Sequence, residues 1–192
     1  MFNGIASALR TTSASRPQEK LAQYPFLYIA PTQSYGLGLF TARPLASRDI
    51  AVRVRDPNYL RELRSHAEAH ALGFGHTDIF QVGEDKFLLP FGGLDDFTNH
   101  SCEPNCGLRV FSDGFDMVAL RDIAVHEELT YDYSTHQEHP KEDMPCRCGT
   151  ASCRGLIRSF STLPVALRKY YLDLGIVADF IAKREATGQA AF

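Results

Sequence analysis

The sequence predicts a mostly β, α+β fold with many short strands and two helical regions. Short apolar runs separated by turn residues recur between residues 26 and 131, whereas helical spacing of apolar residues is found in two regions. The 192 residues are 44% hydrophobic and 22% charged, which is typical of one globular domain. The net charge of −3 disfavours a broad nucleic-acid-binding surface, and no apolar run reaches the roughly 20 residues that span a bilayer.

The first 23 residues are predicted to form a flexible tail. They are rich in Ser, Thr and Ala, and their first acidic residue is Glu19. A plain flexible terminus explains this composition. The alternative is a mitochondrial transit peptide or a bacterial secretion signal, and the lack of a long apolar core disfavours a Sec signal peptide.

The predicted strands are short apolar or alternating runs bounded by Gly, Pro, Asp and Ser. In chain order they lie at 26–30, 36–40, 50–54, 79–82, 86–89, 108–111, 115–120 and 128–131. The turn Ser112-Asp113-Gly114 between two of these runs predicts a hairpin.

The first helix is predicted from Pro57, with Asp56 as its N-cap, and ends at the glycines at 73 and 75. Its apolar stripe is Leu60, Leu63, Ala67 and Ala71. His66 and His70 share a face of this helix. That pair is interpreted as a solvated face rather than half of a metal site, because no third ligand can be identified.

The second helical region follows a polar, His- and Glu-rich stretch at 134–145 that is predicted to be a loop. Helical spacing connects the apolar residues Leu163, Leu167, Tyr170, Tyr171 and Leu174. Gly175 interrupts this pattern, and 176–183 forms a second helical piece. The apolar face predicts that this extension packs on the domain or on a partner.

Three of the five cysteines form a C-x-C-x4-C cluster, at Cys146, Cys148 and Cys153. Clustered thiols in a polar loop are typical of a tetrahedral zinc site in a reducing compartment, and an odd number of cysteines disfavours a disulfide scaffold. The cluster supplies three ligands. The candidates for the fourth are Cys102, Cys106, His136 and His139.

The segment at 99–105, Asn-His-Ser-Cys-Glu-Pro-Asn, is predicted to be a sharply turned, hydrogen-bonded stretch. Its residues alone are compatible with either a functional site or a structural turn. A thiol nucleophile made from His100 and Cys102 is disfavoured, because residues so close in sequence rarely form such a pair.

Four motifs together resemble the SET domain of protein-lysine methyltransferases. They are Gly-Leu-Gly at 36–38, NHSCEPNC at 99–106, ELTYDY at 128–133 and CRCGTASCRG at 146–155. The resemblance implies a SET-domain β-clip fold whose C-terminal segment is threaded in a knot-like path. The resemblance covers roughly residues 26 to 157. Together with the tail and the helical pattern described above, it divides the chain into four regions: a tail at 1–23, the SET domain at 24–133, a post-SET zinc segment at 134–160 and a helical extension at 161–192.

The resemblance also implies which residues hold S-adenosylmethionine. The backbone of Gly36, Leu37 and Gly38 is expected to approach this cofactor, since glycine leaves room for a close ligand. The Asn99 side chain is expected at its methionyl end and the His100 backbone at its adenine. Leu156 is expected to cover the adenine.

The remaining assignments concern the metal and the catalytic groups. The resemblance makes Cys102 the fourth zinc ligand, joining Cys146, Cys148 and Cys153, and leaves Cys106 as a spare thiol. Tyr133 is similar to the family's catalytic tyrosine. Tyr131 is similar to the position where Phe or Tyr limits how many methyl groups are added.

The function implied is transfer of methyl from S-adenosylmethionine to a lysine amine in a protein or peptide substrate, histone or other, as mono- or dimethylation. The alternative is a catalytically weak SET-fold module that binds a peptide or partner. Two departures bear on this choice. Leu37 replaces a frequent aromatic residue, and Arg53-Val54 replaces a frequent Glu-Tyr pair whose Tyr helps to form the lysine channel. No direct nucleic-acid or membrane partner is expected, and the expected location is the cytoplasm, or the nucleus in a eukaryote.

Overall fold

The computed structural model of the chain describes residues 23–56, 59–60, 63–90, 93–138 and 144–188. The strands in this part are β1 (Leu27–Pro31), β2 (Leu37–Thr41), β3 (Ile50–Arg55), β4 (Phe80–Gly83), β5 (Lys86–Leu88), β6 (Asn99–His100), β7 (Cys106–Phe111), β8 (Gly114–Ala119), β9 (Thr130–Tyr131), β10 (Met144–Pro145) and β11 (Leu156–Ile157). The helices are α1 (His66–Ala71), α2 (Val165–Asp173) and α3 (Asp179–Thr187), with 3₁₀ turns at His76–Asp78, Asp95–Phe97, Tyr133–Thr135 and Phe160–Thr162. None of these helices has the length and apolar character needed to cross a membrane. The predicted tail at 1–22 and His139 lie outside the described residues.

The strands form several small sheets around a main apolar core and smaller apolar clusters, which confirms the mostly β, α+β prediction. Antiparallel pairs join β1 to β2, β4 to β5 and β10 to β11, and β3, β8 and β7 form a three-stranded antiparallel sheet. The core between them contains fully buried aliphatic side chains: Leu39, Leu45, Val52, Met117, Ile123 and Leu129. The two-residue strands β6, β10 and β11 are too short to give an alternating pattern in the sequence.

A short parallel pairing positions the two central motifs. Asn99 lies opposite Thr130 and His100 opposite Tyr131, so β6 and β9 run side by side. The Ser101 N–H then donates to the Tyr131 carbonyl at 3.1 Å. This pairing brings the 99–106 motif against the 128–133 motif, although about 30 residues separate them along the chain.

The first helix is shorter than predicted, because a different residue caps it. Ser65, not Asp56, is the N-cap: its hydroxyl accepts from the Glu68 N–H, and the Glu68 side chain accepts from the Ser65 N–H. Arg64, just before the cap, pairs with Phe87 in a β-bridge and is not helical. Pro57 lies outside the described residues.

The buried face of this helix also differs from the predicted stripe. Ala69 is the buried residue, whereas Ala67 and Ala71 are exposed. His66 and His70 lie side by side with their ring centroids 4.4 Å apart, and the His66 ring packs edge-on against Phe87 at 5.5 Å. His70 is exposed, as predicted for a solvated face, whereas His66 is partly buried.

The C-terminal helices pack directly against the SET-like core. Ile176, between α2 and α3, lies against the backbone of Gly107 in β7, and a Cβ on Gly107 would come within 2.6 Å of the Ile176 Cγ2 atom. The Arg109 guanidinium donates to the Leu174 carbonyl at 3.0 Å, and the Ala178 N–H donates to the Thr135 carbonyl at 2.9 Å. The extension therefore buries apolar surface on the core.

The polar stretch at 134–145, which is predicted to be a loop, is buried at its start. Residues 134–138 are buried, and the Phe160 N–H donates to the Gln137 carbonyl at 3.3 Å. Glu138 receives the Ser161 N–H at 3.2 Å. Residues 160 and 161 at the start of the C-terminal extension pack on this stretch, and the polar sequence does not predict that it is buried.

The contact between Gly107 and Ile176 is testable with one added methyl group. We expect Gly107→Ala to lower the free energy of unfolding by about 1–3 kcal/mol, because the new Cβ overpacks the contact. In an Ile176→Ala background, the same Gly107→Ala change is expected to cost less, since the crowded Ile176 atoms are gone. Urea denaturation of the four proteins measures both costs, and equal costs in the two backgrounds would contradict this packing.

Candidate functional site

One cavity lies where the motifs at 36–38, 99–106 and 128–133 meet. Its volume is about 290 Å³, and its walls include Gly36, Leu37, Asn99, His100, Tyr131 and Tyr133. Among the described residues that line it, the charged side chains are Asp78 and Asp96, and none of these described residues is Lys or Arg. A cavity with this charge favours a cationic occupant.

Asn99 joins the glycine segment to the 128–133 motif. Its side-chain amide donates to the Leu37 carbonyl at 3.0 Å and to the Glu128 carboxylate at 2.7 Å. Gly38 does not line the cavity: it packs on Glu128, and a Cβ there would collide with the Glu128 carboxylate and the Thr32 methyl group. Gly36 has a positive φ of 82°, which glycine adopts without strain.

Glu128 is a functional candidate that the sequence analysis left without a role. Burial raises the pKa of its carboxyl, and the hydrogen bond from Asn99 partly offsets this effect. The Glu128 carboxyl group accepts a hydrogen bond from the Asn99 amide and packs against the backbone of Gly38 in β2. The ELTYDY motif contains Glu128, but the spacing gives no indication of these two contacts.

His100 connects the backbone of Tyr133 to the cysteine cluster. The Tyr133 N–H donates to His100 Nδ1 at 3.1 Å, so the ring proton lies on Nε2, which is 3.3 Å from the Cys102 sulfur. Burial lowers the pKa of His100 to about 4, and the imidazole is neutral at pH 7. The expected backbone role of His100 is thus accompanied by two side-chain contacts.

Tyr131 and Tyr133 stand side by side at the cavity wall, with their ring centroids 4.7 Å apart. The Tyr133 hydroxyl donates to the Thr98 carbonyl at 2.9 Å. Burial raises the pKa of the Tyr133 phenol above its usual range, and the charges of Glu128 and Asp96 add to this shift. Tyr133 is therefore a neutral hydroxyl that can orient a group in the cavity but not a strong base.

Asp132, between the two tyrosines in sequence, is fully buried and is not among the residues that line the cavity. It accepts hydrogen bonds from the Arg154 guanidinium at 2.7 Å, the Tyr171 hydroxyl at 3.2 Å and the Ser134 N–H at 3.1 Å. Its carboxylate also lies 3.6 Å from His100 Nδ1. These contacts of Asp132 with Arg154 and Tyr171 join segments far apart in the chain, and the sequence gives no indication of them.

Four cysteines form a candidate metal centre beside this network. The sulfur atoms of Cys102, Cys146, Cys148 and Cys153 all lie within 4.8 Å of one another. Two of the separations are 3.7 Å, Cys102 to Cys146, and 3.6 Å, Cys153 to Cys146. Thiolates placed tetrahedrally about 2.3 Å from a zinc ion would be about 3.8 Å apart, so the four sulfurs fit this ion.

Two of the other candidates for the fourth ligand lie elsewhere in the structure. Cys106 is buried in β7 outside the cluster, and burial raises the pKa of its thiol to about 12. His136 also lies outside the cluster.

Tyr35, next to the glycine segment at 36–38, contacts the cysteine cluster. Its hydroxyl is 3.5 Å from the Cys146 sulfur and accepts a hydrogen bond from the Arg147 N–H at 2.6 Å.

Leu156 lies in β11 but does not line the cavity. Its neighbour Ile157 does, together with Met144 and Pro145 of the paired strand β10. Alternation along a strand turns consecutive side chains to opposite faces, which explains the shift by one residue.

Family comparison agrees with this arrangement. The family profile described as "SET domain" matches residues 36–134, which is more than half of the chain. The chain belongs to the SET domain family.

Similar curated proteins carry the name histone-lysine N-methyltransferase, H3 lysine-4 specific. The one from Eremothecium gossypii is 33% identical over 132 residues, which are 62% of this SET domain chain and 13% of that protein. The Saccharomyces cerevisiae protein is 34% identical over 130 residues, 64% of this chain and 12% of that protein. The chain thus spans about an eighth of the length of these relatives.

Solved structures support the SET fold. The crystal structure of KRYPTONITE in complex with mCHG DNA and SAH has a TM-score of 0.52 and 22% identity, covering 68% of this chain and 28% of that one. A second KRYPTONITE complex, with mCHH DNA, H3(1-15) peptide and SAH, has a TM-score of 0.52 and 21% identity, covering 68% and 29%.

The cysteine geometry predicts about one zinc ion per chain in the purified SET protein. Cys148→Ser is expected to lose the metal and to destabilise residues 144–157, because metal binding and folding of such a segment are linked. Cys106→Ser is the matched control and should keep the metal. Elemental analysis measures the content, and a folded wild type with far less than one zinc per chain would contradict the assignment.

Proposed function

We propose that this chain is an S-adenosylmethionine-dependent protein-lysine N-methyltransferase. The observation that carries the proposal is that one cavity joins the glycine segment, Asn99 and His100 to the paired rings of Tyr131 and Tyr133. The first group suits a cofactor and the second suits a reacting amine. The names of the curated relatives support the same reaction.

The residues of the cavity fit the cofactor. Gly36 offers backbone without a side chain, with nothing within 4 Å of the place where a Cβ would be, and Leu37, Asn99 and His100 line the same space. Asp78 and Asp96 supply negative charge, and no Lys or Arg is present among the lining residues that the structure describes, which suits a sulfonium. When bound, S-adenosylmethionine supplies a methyl group on that positively charged sulfur.

The protein must then present a lysine as a neutral amine. A free lysine has a pKa near 10.4, and burial in an apolar channel beside a positive charge lowers it. A neutral amine held there would displace the methyl group from the sulfonium, which would keep the electrons of the broken carbon–sulfur bond, and the positive charge would pass to the methylated amine. Tyr133 orients the amine through its oxygen, which is held in place by its hydrogen bond to the Thr98 carbonyl.

The zinc segment completes the cavity rather than taking part in the reaction. Zinc bound by Cys102, Cys146, Cys148 and Cys153 would fix residues 144–157 next to the 99–106 motif. Met144, Pro145 and Ile157 of this segment line the cavity. We therefore assign the metal a structural role in cofactor binding.

The alternative, a SET-fold module that binds a peptide without catalysis, is favoured by one feature. Arg53 replaces an acidic residue of the family and pairs with Asp116 through two hydrogen bonds, at 3.0 and 3.2 Å. Val54 replaces the channel tyrosine. Tyr59 and Phe115 line the cavity, however, and their rings supply an aromatic wall for a lysine side chain. The enzyme is the better supported function.

The substrate is a lysine in a protein or peptide. The relatives are named for histone H3 lysine 4, and one similar structure contains an H3(1-15) peptide, so an H3 tail is the first substrate to test. In a eukaryote this substrate implies a nuclear, chromatin-associated location. For a protein substrate other than a histone, the cytoplasm stays the predicted location. The absence of direct nucleic-acid binding stays a prediction, supported by the net charge of −3.

The roles of the two tyrosines predict opposite effects of the same substitution. Tyr133→Phe should lower the methyl-transfer rate by roughly 10²–10³-fold, because it removes a hydroxyl used in the transition state. Tyr131→Phe should leave the first transfer largely intact and shift the products toward higher methylation, because it removes the hydroxyl that crowds the amine. Mass spectrometry of an H3 peptide incubated with S-adenosylmethionine measures both.

The wild type is the reference and should stop at mono- or dimethylation. Efficient trimethylation by the wild type, or equal behaviour of the two variants, would contradict this separation of roles. A wild-type protein that methylates no lysine in H3, in other histones or in a cell lysate would contradict the proposed function.

A further inference from the structure

A buried arginine of the C-terminal extension lies against the hairpin of β4 and β5. Arg184, in α3, is 8% exposed. Its guanidinium donates at 3.2 Å to the carboxylate of Glu84, which is in the turn between the two strands. Its Nη1 atom also lies 3.8 Å from the carboxylate of the buried Glu138. Burying a guanidinium is costly unless its charge is paired, and these two carboxylates supply the pairing.

Gln81 joins the same two segments from the hairpin side. Its side chain is buried, and its oxygen accepts a hydrogen bond from the Glu138 N–H at 2.9 Å. The Gln81 amide donates to the carbonyls of Gly83 and Glu84, at 3.0 and 3.2 Å. Burial raises the pKa of the Glu138 carboxyl, and the positive charge of Arg184 opposes this shift. The hairpin and the 134–138 stretch are thus held together by one connected set of polar contacts.

Both of these segments contribute residues to the cavity wall. Phe80, next to Gln81, and Gln137, next to Glu138, line the cavity. The Phe80 ring centroid lies 6.5 Å from that of Tyr131, and the two rings meet edge to face. The segments that the arginine joins therefore meet the cavity at its tyrosine end, where the substrate amine is expected.

We propose that Arg184 is a positioning residue, which holds the β4–β5 hairpin against the 134–138 stretch and so keeps Phe80 and Gln137 in place around the substrate lysine. The inference rests on the proposed methyl-transfer function. A reacting group must be held in a narrow range of positions, so a wall that moves weakens substrate binding. Asn99 is held by Leu37 and Glu128, and we therefore expect cofactor binding to be independent of this arginine.

Hydrogen–deuterium exchange tests the contact without any assay of activity. Arg184→Met removes the charge and keeps a long side chain. We expect faster amide exchange at 80–88 in this variant than in the wild type, with protection retained in the sheet of β3, β8 and β7. Wild-type exchange at 80–88 overturns the proposal.

Steady-state kinetics tests the effect on the substrate, with whichever lysine peptide the wild type methylates, beginning with an H3 peptide. Arg184→Met should raise the KM for the peptide by roughly tenfold or more, because the wall around the lysine is no longer held. The affinity for S-adenosylhomocysteine, measured by titration calorimetry, should stay at the wild-type value. Arg184→Lys keeps the positive charge and should recover part of the loss. An unchanged peptide KM in Arg184→Met overturns the proposal, and so does a loss of cofactor affinity equal to the rise in KM.

Arg168→Met is the matched control, because it is the same substitution at another arginine of the extension, where it breaks a pair with Glu185 between α2 and α3. It should change neither the exchange at 80–88 nor the peptide KM. Equal effects of Arg168→Met and Arg184→Met would mean that the extension acts only through its general stability, which overturns the proposal.

Glu84→Ala decides the matter if Arg184→Met does not fold. This side chain is 62% exposed, so its loss is tolerated, and it should raise the peptide KM by roughly two- to fivefold and speed exchange at 80–88. No change in either quantity overturns the proposal. If the wild type methylates no lysine, the proposed function fails, whereas the exchange measurement still tests the contact of Arg184 with the hairpin.

Discussion

The rest of the site depends on the hydrogen bonds that the buried Asp132 carboxylate accepts from Arg154 and Tyr171. Asp132 lies between the two cavity tyrosines in sequence, and its carboxylate is fully inaccessible to solvent. Arg154 reaches it from the cysteine segment and Tyr171 from the second helix, at 2.7 and 3.2 Å. A buried charge is costly unless it is paired and hydrogen-bonded, so these partners must stay in place while the domain is folded. One side chain thereby holds together the tyrosine motif, the cysteine segment and the C-terminal extension.

This arrangement explains why the cavity is built from distant parts of the chain. The parallel pairing of β6 with β9 sets Asn99 and His100 against the tyrosine motif. His100 then connects the Tyr133 backbone to the sulfur of Cys102. The four sulfurs hold the segment that adds Met144 and Ile157 to the cavity wall. Loss of the metal should therefore weaken cofactor binding by displacing Met144 and Ile157 from the cavity wall, without any contact between metal and cofactor.

Local chemistry made part of this structure predictable from the sequence. Alternation and turn residues were enough for the longer strands, and the cysteine spacing was enough for three of the four clustered sulfurs. The predicted start of the first helix is wrong because Asp56 and Pro57 have the residue types of a helix start, whereas the helix begins after the capping box of Ser65 and Glu68. The contacts of Glu128, Asp132, Tyr171 and Arg184 could not be predicted. They depend on which segments become neighbours after folding, and that information is absent from residue spacing.

Asp132 holds the cysteine segment and the C-terminal extension together, and hydrogen–deuterium exchange of Asp132→Asn measures this, since the change removes the charge and keeps the size of the side chain. We expect faster amide exchange in both 146–157 and 165–173, with protection retained in the sheet of β3, β8 and β7. Asp173→Asn, which breaks only an exposed pair with Lys169, should leave both segments as in the wild type. Wild-type protection in either segment of Asp132→Asn would contradict the account.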